Sequence, residues 1–151
     1  MTDGTSKPHS KERAVPSLLN PYISFDGDAR QAMEHYQSIF GGDLRINTFG
    51  ESGTGEGDLA DKVMHAMLKT PNGFALMGAD SPPGMPYHPG DNIAVSLSGD
   101  DGAELRGYWE KLSADGAVSV PLEKQMWGDE FGACKDKFGI SWMVNIGQPQ
   151  G

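Results

Sequence analysis

Cysteine is almost absent from this 151-residue sequence, and Cys134 is the only one. A single cysteine forms no intramolecular disulfide. Cys134 lies in the apolar-rich run FGACKD with no basic cluster beside it, which indicates a buried structural thiol. No apolar stretch approaches the roughly 20 residues that span a bilayer, and the N-terminal stretch lacks the hydrophobic region of a secretion signal. We therefore expect a cytoplasmic protein.

Basic residues are scarce as well. Lysine and arginine number 12 against 21 aspartates and glutamates, which gives a net charge of −9. An acidic protein repels polyanions and offers few of the cations that contact phosphate groups, so neither nucleic acid nor a membrane is an expected partner. The same charge would attract a cationic small molecule, although in many proteins acidity serves solubility alone.

The length and composition fit one globular domain. Hydrophobic residues make up 37% of the chain and charged residues 22%, which is ordinary for a folded protein. The polar N-terminal stretch shows no periodicity. We expect a disordered tail over residues 1–16 and a single domain over residues 17–147.

The predicted elements follow the order β-α-β-β-β twice, in modules over residues 18–79 and 92–147. In each module a β-rich segment precedes an amphipathic helix, a strand and a hairpin. The hairpins turn at Pro71-Asn72-Gly73 and at Lys137-Phe138-Gly139. Internal identities support a duplication, because a shift of 72 residues places Asn20 on Asn92, Asp28 on Asp100 and Tyr36 on Tyr108. Of these residues, Asp28 is expected to cap the first helix.

The segment between the modules, residues 80–91, contains four prolines and two glycines and is predicted to be an irregular linker. A linker of this length would also allow the modules to exchange between subunits. A homodimer is therefore the expected assembly.

Strand alternation separates two faces of the predicted sheets. One face is apolar and is expected to pack under the helices: Ile23, Phe25, Ile93, Val95, Leu97, Trp142, Val144 and Ile146. The other face mixes small, polar and thioether side chains: Asn20, Tyr22, Ser24, Met67, Ala75, Met77, Asn92, Ala94, Ser96, Ser141, Met143 and Asn145. A mixed face is typical of the wall of a small-molecule cleft, and it is also compatible with a surface covered by a partner subunit.

Three segments resemble one protein family: NPYISFDGDARQAMEHYQSIFGG (residues 20–42), MHAMLKT (residues 64–70) and MWGDEFGACKDKFGISWMVNI (residues 126–146). They are similar to the PhnB-like branch of the vicinal-oxygen-chelate superfamily, which includes glyoxalases, bleomycin-resistance proteins and dioxygenases. The resemblance implies an α+β fold in which two tandem βαβββ modules form a half-barrel sheet around a ligand cleft, with the helices on the outer face. It identifies the fold better than the chemistry, because this fold hosts many reactions and also non-catalytic drug binders.

The resemblance also implies where a metal would bind. In metal-dependent members the ligands come from the first and last strands of each module, and the matching positions here are Asn20, Met77, Asn92 and Met143. Divalent cations such as Zn²⁺, Fe²⁺ and Mn²⁺ prefer imidazole or carboxylate ligands, whereas thioethers suit soft ions. We therefore expect no metal and no other cofactor.

Two aromatic side chains complete the predicted site. His65 lies within a predicted strand beside Met67 and is the one candidate for a catalytic base, although a hydrogen-bonded structural histidine would fit the same pattern. Trp127 lies in a glycine-flanked loop, where it could stack on a ligand or pack against the neighbouring hairpin.

The sequence thus favours a metal-free protein that binds an unidentified small molecule, cationic or aromatic, through Asn20, Tyr22, Met67, Met77, Asn92, Trp127, Met143 and Asn145. A metal-dependent lyase, isomerase, dioxygenase or transferase of the same superfamily remains an alternative, with His65 as its base. A dimeric interaction protein without a ligand is a second alternative.

Overall fold

The computed structural model describes residues 16–148, so the tail predicted over residues 1–16 lies almost entirely outside the described residues. In the first module, β1 (Tyr22–Phe25) precedes α1 (Ala29–Phe40) and β2 (Asp43–Thr48). A short 3-10 helix (Gly57–Asp61) then leads into the hairpin of β3 (Val63–Lys69) and β4 (Ala75–Asp80).

The second module repeats this order. It contains β5 (Val95–Gly99), α2 (Gly102–Ser113), β6 (Ala117–Lys124), β7 (Glu130–Lys135) and β8 (Ser141–Ile146). Each module forms a four-stranded sheet, with strand orders β1-β4-β3-β2 and β5-β8-β7-β6. The first strand of each module runs parallel to the last, and the other pairs are antiparallel. The predicted α+β fold with two βαβββ modules is confirmed.

Both helices cover one face of their own sheet, and their buried residues merge into one core. Phe25, Leu97, Trp142, Val144 and Ile146 lie in this core, as strand alternation predicts. The prediction that Ile93 lies in the core is wrong, because Ile93 precedes β5 and is 80% exposed. Cys134 is buried as predicted, and its burial raises the pKa of the thiol to about 11, with Asp136 acting in the same direction.

The cap of α1 differs from the prediction. The Asp28 side chain makes no capping hydrogen bond. Asp80, one residue beyond the predicted end of the first module, closes β4 and takes this role. Its buried carboxylate accepts hydrogen bonds from the backbone N–H groups of Ala29 (2.9 Å) and Gly27 (2.9 Å) through one oxygen and of Val63 (2.9 Å) through the other. A carboxylate from β4 therefore accepts from the backbone N–H group of Ala29, the first residue of α1, which has no partner within the helix. This contact links the helix to the sheet.

The two modules meet through α1, α2 and the hairpin turns. The buried Asp136 carboxylate, in the β7–β8 turn, accepts hydrogen bonds from the Tyr36 hydroxyl of α1 at 2.6 Å and from Trp142 Nε1 at 2.8 Å. Its other oxygen accepts from the N–H groups of Phe138 (2.8 Å) and Ile140 (3.0 Å). The side chains of Tyr36 and Trp142 are fully buried, and the two backbone donors lie in a tight turn. Because Tyr36 belongs to the first module, this carboxylate links the second module to the first.

A related contact joins the β3–β4 turn of the first module to α2 of the second. The Asn72 side-chain amide, in the β3–β4 turn, donates to the Tyr108 hydroxyl of α2 at 3.4 Å. Tyr36 and Tyr108 are the pair that the shift of 72 superposes. Each module thus presents a helix tyrosine to the hairpin turn of the other module, which is the arrangement expected of a duplicated unit.

His35, next to Tyr36 on α1, lies at this boundary against the β7–β8 turn. Its Nε2 atom is buried without a hydrogen-bond partner, and its ring lies 5.7 Å from that of Phe138. Burial and the nearby Lys137 lower the pKa of His35 below its ordinary value of 6.5, while Asp136 acts in the opposite direction.

Because the folded state disfavours protonation of His35, its contribution to stability is complete above about pH 6.5 and is lost progressively as the pH falls below that value. We expect urea unfolding between pH 8 and pH 5 to show this loss, and a His35→Gln variant to show less of it. His88→Gln, at an exposed position in the linker, is the matched control. A wild-type stability that stays constant over this range would contradict the prediction.

No helix among residues 16–148 combines the length and apolar character needed to cross a membrane.

Candidate functional site

The face of each sheet opposite its helix remains open, and most of the predicted site residues lie on these two faces. On the first module, a row of paired residues runs across the sheet through Tyr22, Met77, Met67 and Arg45. The Tyr22 hydroxyl lies 3.2 Å from Nδ1 of His65, and the two rings are tilted with centroids 5.7 Å apart. Tyr22 is 53% exposed, so this pair is accessible from solution.

The hydrogen bond between Tyr22 and His65 defines what the first face can do. Because Nδ1 engages the tyrosine hydroxyl, the ring of His65 is oriented and its Nε2 is the atom left to meet a ligand. Such a pair can donate and accept hydrogen bonds, or take a proton from a bound hydroxyl group. Met67 and Met77 supply an adaptable apolar floor beside it.

The second face is built in a similar way from β5, β8 and β7. Met143 pairs with Ser96 and Ala133, and Asn145 pairs with Ser98 and Phe131. The Asn145 side-chain amide donates to Asp129 Oδ2 at 3.0 Å, which fixes the orientation of both groups. The face therefore combines a thioether and hydroxyl groups with a carboxylate.

An aromatic pair stands at one end of the second face. Trp127 is 61% exposed, and its ring centroid lies 6.4 Å from that of Phe131. An exposed tryptophan ring can bind aromatic and cationic groups through its face.

Two predicted site residues lie elsewhere. Asn20 and Asn92 precede β1 and β5 and are not part of these strands. The side-chain amide of Asn20 donates to the backbone oxygen of Pro21 at 3.2 Å, and Asn92 is exposed. Pro21 directly follows Asn20 and has no N–H group for strand pairing, and Asn92 lies in a bend before β5 begins.

The four positions at which the resemblance implies metal ligands do not fit a divalent cation. Met77 and Met143 offer thioethers, and Asn20 and Asn92 offer neutral amides. Each module contributes one methionine and one asparagine. Within residues 16–148, no hydrogen bond joins Asn20 or Met77 of the first module to Asn92 or Met143 of the second. Over the same residues, no cluster of three or more His, Cys, Asp or Glu side chains is placed to hold a metal ion.

Sequence reasoning missed Arg45 and Phe131. Both follow from strand alternation, because Leu44 and Ile46 face the core and leave Arg45 on the open face of β2, while buried Gly132 leaves Phe131 on the open face of β7. Arg45 brings positive charge to the first face, in contrast to the acidic chain as a whole. The two faces therefore differ in charge.

Comparisons with known proteins agree with this architecture. The family model described as 3-demethylubiquinone-9 3-methyltransferase matches residues 17–145. Protein PA1353 from Pseudomonas aeruginosa is 38% identical, with a TM-score of 0.79, and the match covers 88% of this chain and 100% of that chain.

Two further solved structures extend the comparison. A PhnB protein from Bacillus cereus, described as a putative 3-demethylubiquinone-9 3-methyltransferase, is 26% identical with a TM-score of 0.71, covering 87% of this chain and 100% of that one. A glyoxalase/bleomycin resistance protein/dioxygenase domain from Frankia is 16% identical with a TM-score of 0.61, covering 89% of this chain and 100% of that one, and shares the fold. The chain belongs to the family described as 3-demethylubiquinone-9 3-methyltransferase, within the PhnB-like branch of the vicinal-oxygen-chelate superfamily.

Proposed function

We propose that this protein is a metal-free, cytoplasmic binding protein for a small aromatic cation, which it holds in a cleft between the open face of the first module and the open face of the second. The observation that carries the proposal is the exposed ring of Trp127 at the end of the second face, next to the partly buried Phe131, with Asp129 held on the same face by Asn145. Aromatic rings bind cations through their π faces, and a carboxylate adds a compensating charge.

We further propose that the cleft is completed by a second copy of the chain. Within one chain the modules meet through the helices and hairpin turns, and the strand faces with Tyr22 and Met77 or with Met143 and Asn145 stay open. A homodimer in which the first face of one subunit meets the second face of its partner would cover both. A two-fold axis would then produce two equal clefts for each dimer.

A titration with (2-naphthylmethyl)trimethylammonium tests the ligand class. We expect saturable binding by calorimetry, and weakening by about tenfold or more in Trp127→Ala because the exposed aromatic platform is lost. Met126→Ala is the matched control, since Met126 is the adjacent residue and is 98% exposed. The proposal fails if the cation does not bind, if both variants bind equally, or if the purified protein holds near-stoichiometric divalent metal at Met77 and Met143.

The oriented His65 favours a second function, that of an enzyme with a histidine base. The family description names a 3-demethylubiquinone-9 3-methyltransferase, and in methyl transfer to a hydroxyl group a base removes the proton of that hydroxyl. Incubation of the protein with a catechol and S-adenosylmethionine, followed by mass spectrometry, tests it. A methylated product formed by the wild type and lost in His65→Ala would establish the enzyme, and no product would reject this activity.

A further inference from the structure

A separate cavity of about 300 Å³ lies at the seam between the two modules. The first module contributes Pro21, the end of α1 and the β3–β4 hairpin, and the second contributes β5 and Trp142 of β8. Tyr22, His65, Trp127 and Asn145 do not line this cavity. Most of its lining therefore differs from that of the open faces on which the proposed function rests, and Ser96 and Ser98 of β5 belong to both.

Aromatic rings form one wall of the seam cavity. The ring of Phe40 lies 5.7 Å from that of Trp142 and 5.8 Å from that of Phe74. Phe40 and Trp142 are almost fully buried, at 8% and 1% exposure, and pack behind Phe74, which is only partly buried. Leu68, Leu76 and Leu97 extend the apolar lining. Flat apolar walls of this kind bind aromatic rings by stacking or edge-to-face contact.

The polar groups of the seam cavity are neutral. Among residues 16–148, none of those that line it carries a charge, and the polar residues among them are Thr70, Ser96 and Ser98. Four consecutive residues of β5, 95–98, border the cavity, and β5 pairs only with β8 in the described sheet. An edge strand offers free backbone N–H and C=O groups. A charged ligand would lose hydration here without gaining a counter-charge, whereas a neutral ligand with one hydroxyl would find partners.

We propose that the seam cavity is a second binding site, for a neutral aromatic molecule of one or two rings that bears a hydrogen-bonding group. The ring packs against Phe74, and the polar group bonds to the edge of β5. A volume of about 300 Å³ lies at the lower end of the range for ligand pockets, which limits the ligand to this size. Because residues of both modules line the site, its ligand also stabilises their association.

Calorimetric titration of the full chain with 2-naphthol tests the proposal, with naphthalene-2-sulfonate as the charged counterpart. Val95→Phe places a larger side chain in the cavity and is expected to weaken 2-naphthol binding by about tenfold or more. Ile93→Phe is the matched control, because Ile93 lies two residues earlier, is 80% exposed and does not line the cavity. Phe74→Leu is a second variant that removes a ring from the wall, and circular dichroism verifies the fold of each variant.

The expected result is saturable binding of 2-naphthol, weakened in Val95→Phe and in Phe74→Leu and unchanged in Ile93→Phe, with weaker binding of the sulfonate. The proposal is overturned if 2-naphthol does not saturate, if the sulfonate binds as tightly, or if the folded cavity variants bind like the wild type. It is also overturned if Trp127→Ala abolishes 2-naphthol binding, since the ligand would then occupy the open face. Should Val95→Phe not fold, Phe74→Leu decides the question.

Discussion

Replacing Asp136 with alanine is expected to lower the free energy of unfolding by about 3–5 kcal/mol. The substitution leaves the Tyr36 hydroxyl, Trp142 Nε1 and two backbone N–H groups of the β7–β8 turn without their acceptor. Tyr36 and Trp142 are fully buried, so water does not replace the lost partner at low cost. Burial, reinforced by Asp136, also raises the pKa of Tyr36 well above its ordinary value, so this tyrosine stays a donor throughout the accessible pH range.

Urea unfolding measures this loss, and two variants calibrate it. Asp100→Ala removes an exposed carboxylate at a loop position and is expected to change stability by no more than about 0.5 kcal/mol. Tyr36→Phe removes one of the four donors and is expected to cost about 1 kcal/mol. If Asp136→Ala is as stable as Asp100→Ala, the carboxylate does not hold the modules together.

A mixture of two binding-deficient variants is expected to recover binding. Met77→Arg places a positive charge on the first open face and Met143→Arg places one on the second. Each variant homodimer alone should therefore fail to bind the naphthyl cation, because the arginine repels the cation and occupies space in the cleft. In a heterodimer of the two, one cleft combines both substituted faces and the other combines both native faces. Random association should therefore restore about a quarter of the wild-type clefts, as the symmetry of a two-fold dimer requires.

Calorimetry after joint refolding of equal amounts gives the measurement, with each variant refolded alone as the control. Recovery of binding would show that each cleft takes one face from each subunit. Absence of recovery, with dimers still formed, would mean that a cleft uses two faces of the same chain and would reject the proposed assembly.

The regular elements could be predicted because their signals are local. Helical spacing of Ala29, Met33, Tyr36 and Phe40 marks α1, and glycine turns mark both hairpins. Strand alternation separated the core face from the open face at all the predicted positions within strands, from Phe25 to Ile146. It failed for Ile93 because the pairing of β5 begins only at Val95, and no local signal distinguishes a strand from the extended segment that leads into it.

The features that could not be predicted from the sequence depend on contacts between residues that are distant in the chain. Asp28 has the residue type and the position of a helix cap, yet Asp80 supplies the acceptor from 51 positions beyond Ala29. In the same way, no spacing rule connects Tyr36 with Asp136, 100 residues apart, or Tyr22 with His65, 43 residues apart. The seam cavity arises from the packing of the two modules and has no sequence motif of its own.

The two reciprocal tyrosine contacts are unequal. One is a buried hydrogen bond to a carboxylate at 2.6 Å, and the other is an exposed bond of 3.4 Å between an amide and a phenol. Because the second contact is weaker, we expect the two modules to separate first around Asn72 and Tyr108, while the contact between Tyr36 and Asp136 is kept and acts as a hinge. Hydrogen exchange should accordingly be faster in the β3–β4 turn than in the β7–β8 turn, although the two hairpins occupy equivalent places in their modules.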